Sequence, residues 1–494
     1  MIKKPERHVL SKSTFIRGCQ CAKSLFLYKH QPELRDEISD HQQAIFNRGT
    51  SVGELAQQLF PGGIDASPAT PFEYQKSVAY TQQLIEDGQK IIYEAAFQFN
   101  GVLAAIDILV KTKGKWKAYE VKSSTQVKDT FILDASLQYH VITQSGIALE
   151  DISIVHINNQ YVRKGKIDIN QLFAIQSINE EVLANQDFVA GKIAELKDVI
   201  KLKEAPVIDI GAHCGDPYPC DFTGHCWQHV PENSVFDISR LNGEKKFDLY
   251  SRGIVRFEDI TEDVVLNDNQ QLQVTSYLNK TDHIDKEGIR EFLKNISHPI
   301  YFLDFETFMP AIPLYDQSRP YQQIPFQYSL HYKKKRTSEA QHFEFLAFPD
   351  GDPRIPFIEQ LLKETKAPGD ILTYNQAFEK TRLKELAADF PKYANDLEER
   401  ISRIKDLMTP FMQKLYYRPS MNGSYSIKSV LPALIPELSY DDLAIGNGGD
   451  ASVSFEQMIY DKVNDHSELR NNLLEYCKLD TFAMVKILEH LENL

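Results

Sequence analysis

Ala105-Ile-Asp-Ile-Leu-Val110 and Tyr119-Glu-Val-Lys-Ser-Ser124 are strand-like runs joined across Lys113-Gly114, and together they set Asp107, Glu120 and Lys122 on neighbouring strands of one hairpin. Side chains alternate between the faces of a strand, so Glu120 and Lys122 share a face and present a carboxylate beside a cation. A third run, Ile91 to Phe99, precedes them across an Asn100-Gly101 turn and carries Glu94. Clustered carboxylates suit the hard ions Mg2+ and Mn2+, which polarise phosphates and activate water. Glu94, Asp107 and Glu120 are therefore candidate metal ligands, and Lys122 a candidate for holding attacking water or countering charge on a phosphate. A Glu-x-Lys triplet alone reads as a surface ion pair on an edge strand; Asp107, the strand order, Gln138 and the cysteines together raise it above that reading.

Outward from this hairpin, Ser11 to His30 reads as one capped helix, Arg48 to Phe60 as a helix stopped by Pro61-Gly-Gly63, and Tyr74 to Glu86 as another. On the other side, Asp134 to Gly146 reads as a helix, Ile152 to Asn158 as a strand, and Asn170 to Lys203 as one long helical stretch. Short helical pieces fill 235–295, and a second α/β unit opens with the buried-type strand Pro299 to Phe305. The expectation is an α/β chain in three parts: 1–232, a helical connector at 233–295, and 296–494.

In the last part, Ile300-Tyr-Phe-Leu-Asp-Phe-Glu-Thr307 projects Asp304 and Glu306 from one side of an otherwise apolar strand, where burial is costly unless a cation binds them. Leu372-Thr-Tyr-Asn-Gln-Ala-Phe-Glu-Lys380 offers Glu379 after a strand, with Asp406 as the other contender. Leu474-Glu-Tyr-Cys-Lys-Leu-Asp-Thr481 sets Tyr476 and Asp480 one helical turn apart. Asp304, Glu306, Glu379 and Asp480 thus make a second candidate metal site. A phenol titrating near ~10 is a poor base at neutral pH, which gives Tyr476 a positioning role.

Cysteines stand at 19, 21, 214, 220, 226 and 477. Three lie in His213-Cys-Gly-Asp-Pro-Tyr-Pro-Cys-Asp-Phe-Thr-Gly-His-Cys-Trp227, whose glycines and prolines supply turns that let thiolates converge, so a metal or cluster is expected rather than disulfides. Zn2+ competes with iron–sulfur, because His213, His225 and His229 are close by. Cys477, isolated, reads as a plain buried thiol. A chain of 494 residues with 42% hydrophobic residues can bury several cores. Met1 to His8 lacks the apolar run of a secretory signal, and no membrane span is read, so the expectation is a cytoplasmic protein. The net charge of −14 argues against coating nucleic acid by bulk attraction but leaves room for local basic grooves, for which Lys333-Lys-Lys-Arg336 and Lys3, Lys4, Arg7, Lys12, Arg17 and Lys23 are candidates.

Asp107 followed at hairpin distance by Glu120-x-Lys122 resembles the PD-(D/E)XK nuclease superfamily, in its RecB-type branch, over about residues 10–230. The resemblance implies a restriction-endonuclease-like fold and gives Gln138 a catalytic place on the following helix. Where that branch carries a metal-binding His after Arg-Gly, Arg48-Gly-Thr-Ser-Val-Gly53 has Gly53, with Glu54 or Glu94 to compensate. Similarity to CRISPR-associated adaptation exonucleases and AddB-type helicase–nucleases implies a [4Fe–4S] cluster on Cys21, Cys214, Cys220 and Cys226, with Cys19 in reserve for Cys21. The second acid set resembles the DEDD exonucleases of the RNase H-like (DnaQ-type) fold, tyrosine subclass, over about residues 296–494, and Asn422 to Leu431 looks like that group's substrate-side segment. The implied function is metal-dependent hydrolysis of nucleic acid, DNA with free ends first, in repair or defence. An RNase, or a nucleic-acid-binding scaffold with weakened chemistry, is the alternative, and protein partners stay unknown.

Overall fold

The computed structural model describes residues 8–70, 72–461 and 463–494, with the side chains of Asp40 and His41 left aside. Lys3, Lys4 and Arg7 lie outside the described residues. The chain is mixed α/β and divides into two compact units: the described residues up to His229 with Ala311–Tyr321, and Val230–Pro310 with Gln322–Leu494. No helix among the described residues is long and apolar enough to cross a membrane.

Unit 1 is built on a twisted mixed sheet. Its strands are β1 (Leu10–Ser11), β2 (Ile64–Asp65), β3 (Ile91–Phe99), β4 (Val102–Thr112), β5 (Lys115–Lys122), β6 (Leu149–Ile157) and β7 (Phe173–Ser177). They run in the order β2-β3-β4-β5-β6-β7, with β1 parallel against the start of β4. Hairpin turns make β3, β4 and β5 antiparallel. The helix α5 (Asp129–Gln144) then crosses over to lay β6 parallel to β5, as a parallel pair requires. The β5 strand is thus central, which removes the edge-strand reading of Glu120 and Lys122. Both sheet faces are covered. The helices α1 (Lys12–Gln20), α4 (Tyr74–Glu86), α5 and α7 (Gln186–Lys201) bury Phe15, Leu84, Leu137, Val141 and Leu196 on one side. The helix α3 (Asp40–Ala56) buries Val52 and Ala56 with Ile108, Val155 and Ile157 on the other.

Two sequence expectations are corrected here. Ser11 to His30 is two helices, α1 and α2 (Ala22–His30), broken at Cys21, whose backbone is extended (φ −158°, ψ 116°). The break lets α1 press on α7 at Gly18, where a Cβ would stand 2.6 Å from Leu196, while α2 turns to a separate cluster with Phe222. The stretch 170–203 is not one helix: a single turn capped by Asp168 leads into β7, which adds to the free edge of β6, and α6 (Asn179–Ala184) and α7 follow. Phe173 and Ile178 are buried at the two ends of β7, and edge pairing outweighs helical periodicity. Glu54, offered as a compensating ligand, is exposed on α3, and a Cβ at Gly53 would meet nothing within 4 Å.

The segment Ala311–Tyr321 packs in unit 1. Ala311, Ile312 and Tyr321 join the α3-side core, Arg163 Nη1 donates to the carbonyls of Pro313 and Leu314, and the Tyr321 and Ser123 hydroxyls are 2.8 Å apart.

Unit 2 begins with α8 (Gly243–Ser251), α9 (Asp268–Asn279) and α10 (Lys286–Lys294), of which α8 and α9 share a small core of Val235, Ile238, Leu249, Phe257 and Val274. A five-stranded sheet follows: β8 (Ile300–Phe308), β9 (Ile324–Lys333), β10 (Gln341–Leu346), β11 (Asp370–Thr373) and β12 (Ile404–Asp406). The order is β10-β9-β8-β11-β12, antiparallel among β8, β9 and β10 and parallel from β8 through β11 to β12. One face packs on α11 (Arg354–Glu364), α12 (Ala377–Asp389) and α13 (Ala394–Ser402) through Leu303, Phe305, Phe357, Leu383 and Leu397. The helices α14 (Ile427–Leu434), α15 (Gly448–Tyr460) and α16 (Ser467–Glu492) complete the unit, with Phe455 of α15 stacked on Phe326 of β9 at 4.0 Å between ring centroids. The buried positions of α16 include Leu473, Tyr476, Cys477, Asp480, Met484, Ile487 and Leu491, a helical-period stripe that carries two polar candidates inward.

Candidate metal-binding sites

In unit 1 the hairpin register places Glu94 opposite Asp107: Tyr93 pairs with Ile108 and Ala95 with Ile106. The strands are irregular at that point. Glu94 has φ 51°, an unfavourable backbone for a residue with a side chain, and buried positions on β4 switch parity past Asp107, with Ala104 and Ile106 on one core and Ile108 and Val110 on the other. Glu120 is 1% exposed, and its Oε1 accepts from Lys122 Nζ and Lys12 Nζ, each at 2.7 Å. Lys122 also donates to Asp134 Oδ2 at 2.6 Å, and Gln138 reaches Asp134 Oδ1 at 3.4 Å from one turn further along α5. Among the described residues, Glu120 Oε2 and Gln138 Oε1 are buried without a hydrogen-bond partner. Asp107 Oδ2 accepts the Val121 N–H. Electrostatics mark the acids as one group. Burial pushes Glu94 up to about 7 despite Lys12, with Glu120 adding to the rise; burial and Glu120 raise Asp107 well above the usual range. Burial would raise Glu120 as well, but the Lys12 and Lys122 ammoniums hold it down at about 2. Lys12 and Asp134 were not singled out for this site from the sequence. Asp134 was legible as the residue one turn before Gln138; Lys12 comes from a distant element.

In unit 2 the four acids converge. Asp304 and Glu306 project from β8, Glu379 from the first turn of α12, and Asp480 from α16; Glu306, Glu379 and Asp480 are 6%, 2% and 5% exposed. Burial, then Asp480, Glu306 and Glu379, raise Asp304 well above its ordinary range, and burial with Asp480 does the same to Glu306. Glu379 rises to about 8 and Asp480 to about 6, each chiefly through burial. Lys428 of α14 is a cation whose pull reaches Glu306 and Asp480, and it lies over the rings of Tyr476 and Tyr440 at 5.4 and 5.6 Å. Glu379 Oε2 is buried and has no partner among the described residues. Asp406, the other contender, accepts backbone N–H groups of Asn375 and Met408 on Oδ1 and of Gln376 on Oδ2, at 3.0–3.1 Å.

Cys477 is a buried thiol, as the sequence suggests, and it has acidic neighbours. Its Sγ lies 3.7 Å from Asp304 Oδ2, and Asp304, Glu306 and Cys477 are the one trio among the described residues whose ligand atoms all fall within 4.8 Å. Tyr440, which donates to Asp480 Oδ1 at 2.7 Å, and Gly448, where a Cβ would sit 3.3 Å from Glu306 Oε2, also went unread in the sequence. Tyr476 is 4% exposed and bonds Asp480; burial raises its phenol far above the usual range, so it stays protonated.

Cys21, Cys214, Cys220 and Cys226 line one small cavity with Ser24, Ile208, Ile210, His213 and Phe222. Cys19 packs instead on the main core and is pushed up to about 12 by burial. His225 and His229 do not line the cavity. Of the other basic candidates, Arg17 is paired with Asp221, Lys23 donates to the Ile208 carbonyl, and Lys333 and Arg336 are paired with Glu489 and Glu492.

Residues 301–426 match the family described as a domain of unknown function (DUF2779). The chain is similar to an uncharacterized protein of Ureaplasma parvum serovar 3, 26% identical over 51% of this chain and 40% of that protein. It is also similar to an uncharacterized protein of Mycoplasma genitalium, 26% identical over 40% of this chain and 32% of that protein. The aligned parts thus span well under half the length of these relatives.

Proposed function

We propose that the chain is a metal-dependent nuclease with two hydrolytic sites, a PD-(D/E)XK-type site in unit 1 and a DEDD-type site of RNase H-like fold in unit 2. The observation that carries the reading is the acid cluster of unit 2: four buried carboxylates stand close enough for Asp304 to feel the charge of the other three, the charge of Lys428 reaches Glu306 and Asp480, and one carboxylate oxygen has no partner among the described residues. Such an arrangement is strongly unfavourable unless divalent cations occupy it. The strand order of unit 2 and the helix–hairpin–crossover core of unit 1 support the two fold assignments.

Asp304, Glu306, Glu379 and Asp480 would hold divalent ions in unit 2; Glu94, Asp107 and Glu120 would do so in unit 1. When bound, Mg2+ or Mn2+ supplies phosphate polarisation and a water acidified toward neutrality. The protein's own residues do the rest. Tyr440 and Tyr476 orient the Asp480 carboxylate, and Lys428 supplies a positive charge beside Glu306 and Asp480. In unit 1, Lys122 is held between Glu120 and Asp134, where an ammonium can counter charge developing on a phosphate. Cys21, Cys214, Cys220 and Cys226 would hold an iron–sulfur cluster. The four thiols line one cavity, and four cysteine ligands are what an iron–sulfur cluster takes. DNA with free ends is the favoured substrate.

End-labelled DNA and RNA incubated with Mg2+ or Mn2+ test this. Cleavage should need the metal and fall at least a hundredfold in Asp304→Ala, Lys122→Ala or both combined, according to which site acts. If the parent cuts neither polymer, or both variants cut as the parent does, the reading fails.

A further inference from the structure

The two acid clusters differ in how much positive charge the protein itself provides. When ionised, Glu94, Asp107, Glu120 and Asp134 bring four negative charges to unit 1, and Lys12 and Lys122 return two positive ones. Asp65, also sensed by Glu94, lies exposed on β2 and accepts hydrogen bonds from Ser67. One divalent ion therefore neutralises this cluster. In unit 2 the Lys428 ammonium reaches two of the four acids, Glu306 and Asp480, so the protein's own positive charge covers less of that cluster.

Lys12 is what makes the difference. It stands at the start of α1, directly after β1, and pairing of β1 with Val102 and Leu103 fixes that start against β4, five residues before Asp107. Its Nζ is 2.7 Å from Glu120 Oε1 and 3.8 Å from Asp134 Oδ2, and its charge is felt by Asp107 and Glu94. The opposite side of Glu120 is different: Oε2 is buried and unpartnered, as is Gln138 Oε1 on a residue 0% exposed. One carboxylate thus presents one oxygen to ammonium groups and another that has no partner among the described residues. On α3, meanwhile, position 53 is a glycine with nothing within 4 Å of its Cβ direction, so that helix sends no donor from there.

Resting on the reading of this cluster as a hydrolytic metal site, we propose that unit 1 binds a single divalent ion on the Glu120 Oε2 side and that the Lys12 ammonium takes the position of a second cation. Lys12 is then a positioning residue: it neutralises Glu120 and Asp134 without being exchanged with solvent, and it competes with any second ion for the same oxygens.

The test counts Mn2+ bound to the full chain carrying Asp304→Asn, Glu306→Gln, Glu379→Gln and Asp480→Asn, using the electron paramagnetic resonance signal of the free ion, so that the four acids of unit 2 no longer contribute. One ion per chain is expected. Lys12→Gln, which keeps hydrogen-bonding atoms but loses the charge, should bind a second Mn2+ or bind the first at least tenfold tighter, and Lys12→Arg should match the parent. Near-ultraviolet circular dichroism, unchanged across the three, reports an intact fold; if Lys12→Gln is misfolded, Lys12→Met takes its place in the count. Two ions in the parent, or unaltered or weaker Mn2+ binding without the lysine charge, overturns the proposal. The same samples are assayed on end-labelled DNA. If the count behaves as expected but nothing is cut, the hydrolytic reading fails and the role of Lys12 stands; if the parent cuts and the count ignores Lys12, the reverse holds.

Discussion

Replacing Asp480 with asparagine removes one negative charge from the acid cluster of unit 2 yet keeps an oxygen for the Tyr440 hydroxyl, which donates to Asp480 Oδ1 at 2.7 Å. Burial moves Asp480 from its ordinary 3.8 up to about 6, against the Tyr440 hydrogen bond and the Lys428 charge. A carboxyl with a higher pKa folded than unfolded holds more protons in the folded state. Its penalty is therefore absent well below 3.8, grows as pH rises through 6, and is constant above. At 1.36 kcal/mol per pKa unit, the gap from 3.8 to about 6 costs the metal-free fold about 3 kcal/mol at about pH 7.5 and roughly a third of that at about pH 4.5. Asp304 and Glu306 share the field, so Asp480→Asn should recover between about 1 and 3 kcal/mol, raising the unit 2 melting temperature by roughly 2–10 °C in chelator at about pH 7.5. Scanning calorimetry at both pH values, with chelator and then with Mn2+, reads this out. The gap should shrink at the lower pH and change sign with Mn2+, because the parent alone keeps the full ligand set. An Asp480→Asn protein that melts lower than the parent in chelator at about pH 7.5 would refute the reasoning, as would a gap indifferent to pH.

Tyr440→Phe removes the hydrogen bond that lowers Asp480, and a bond to a charged group is worth about 1.5–3 kcal/mol, so the pH midpoint of Mn2+ binding to unit 2 should move up by about one to two units in a pH-resolved titration. Cys214→Ser and Cys220→Ser should each remove the visible charge-transfer absorption expected of a purified iron–sulfur protein, whereas Cys19→Ser should retain it; equal loss in all three would rule out the cavity as the cluster site. The separate Asp304→Ala and Lys122→Ala cleavage assays should lose different activities if both units cut, which substrate panels of DNA and RNA would reveal.

Local pattern made the central hairpin readable: β3 and β5 have the bounds that alternation and the two turn pairs imply, and α4 likewise. Asp304 with Glu306, and Tyr476 with Asp480, were readable because each pair sits at the period of its own element. Long-range pairing was not. β7 exists because β6 offered an edge, the break at Cys21 because α1 and α2 pack on different clusters, and the Lys12–Glu120 contact because β1 docks on β4. Glu94 shows a different limit: its position opposite Asp107 followed from the hairpin, but its left-handed backbone did not, since no turn residue marks it. Cys477 was read as packing because nothing in its neighbourhood reveals that β8 brings Asp304 alongside.

The membership of Ala311–Tyr321 in unit 1 bears on how the protein can be taken apart. The backbone leaves unit 1 after His229, returns to it at Ala311 and leaves again after Tyr321, so three covalent passages link the halves. A protease nick near residue 230 would sever one passage and leave two, and the halves would stay tethered through β8 and β9. A fragment stopping at 232 would lack Ala311, Ile312 and Tyr321 and expose the apolar slot they fill beside Val52 and Ile108. Isolating the amino-terminal unit thus calls for grafting that eleven-residue segment back on, not for simple truncation.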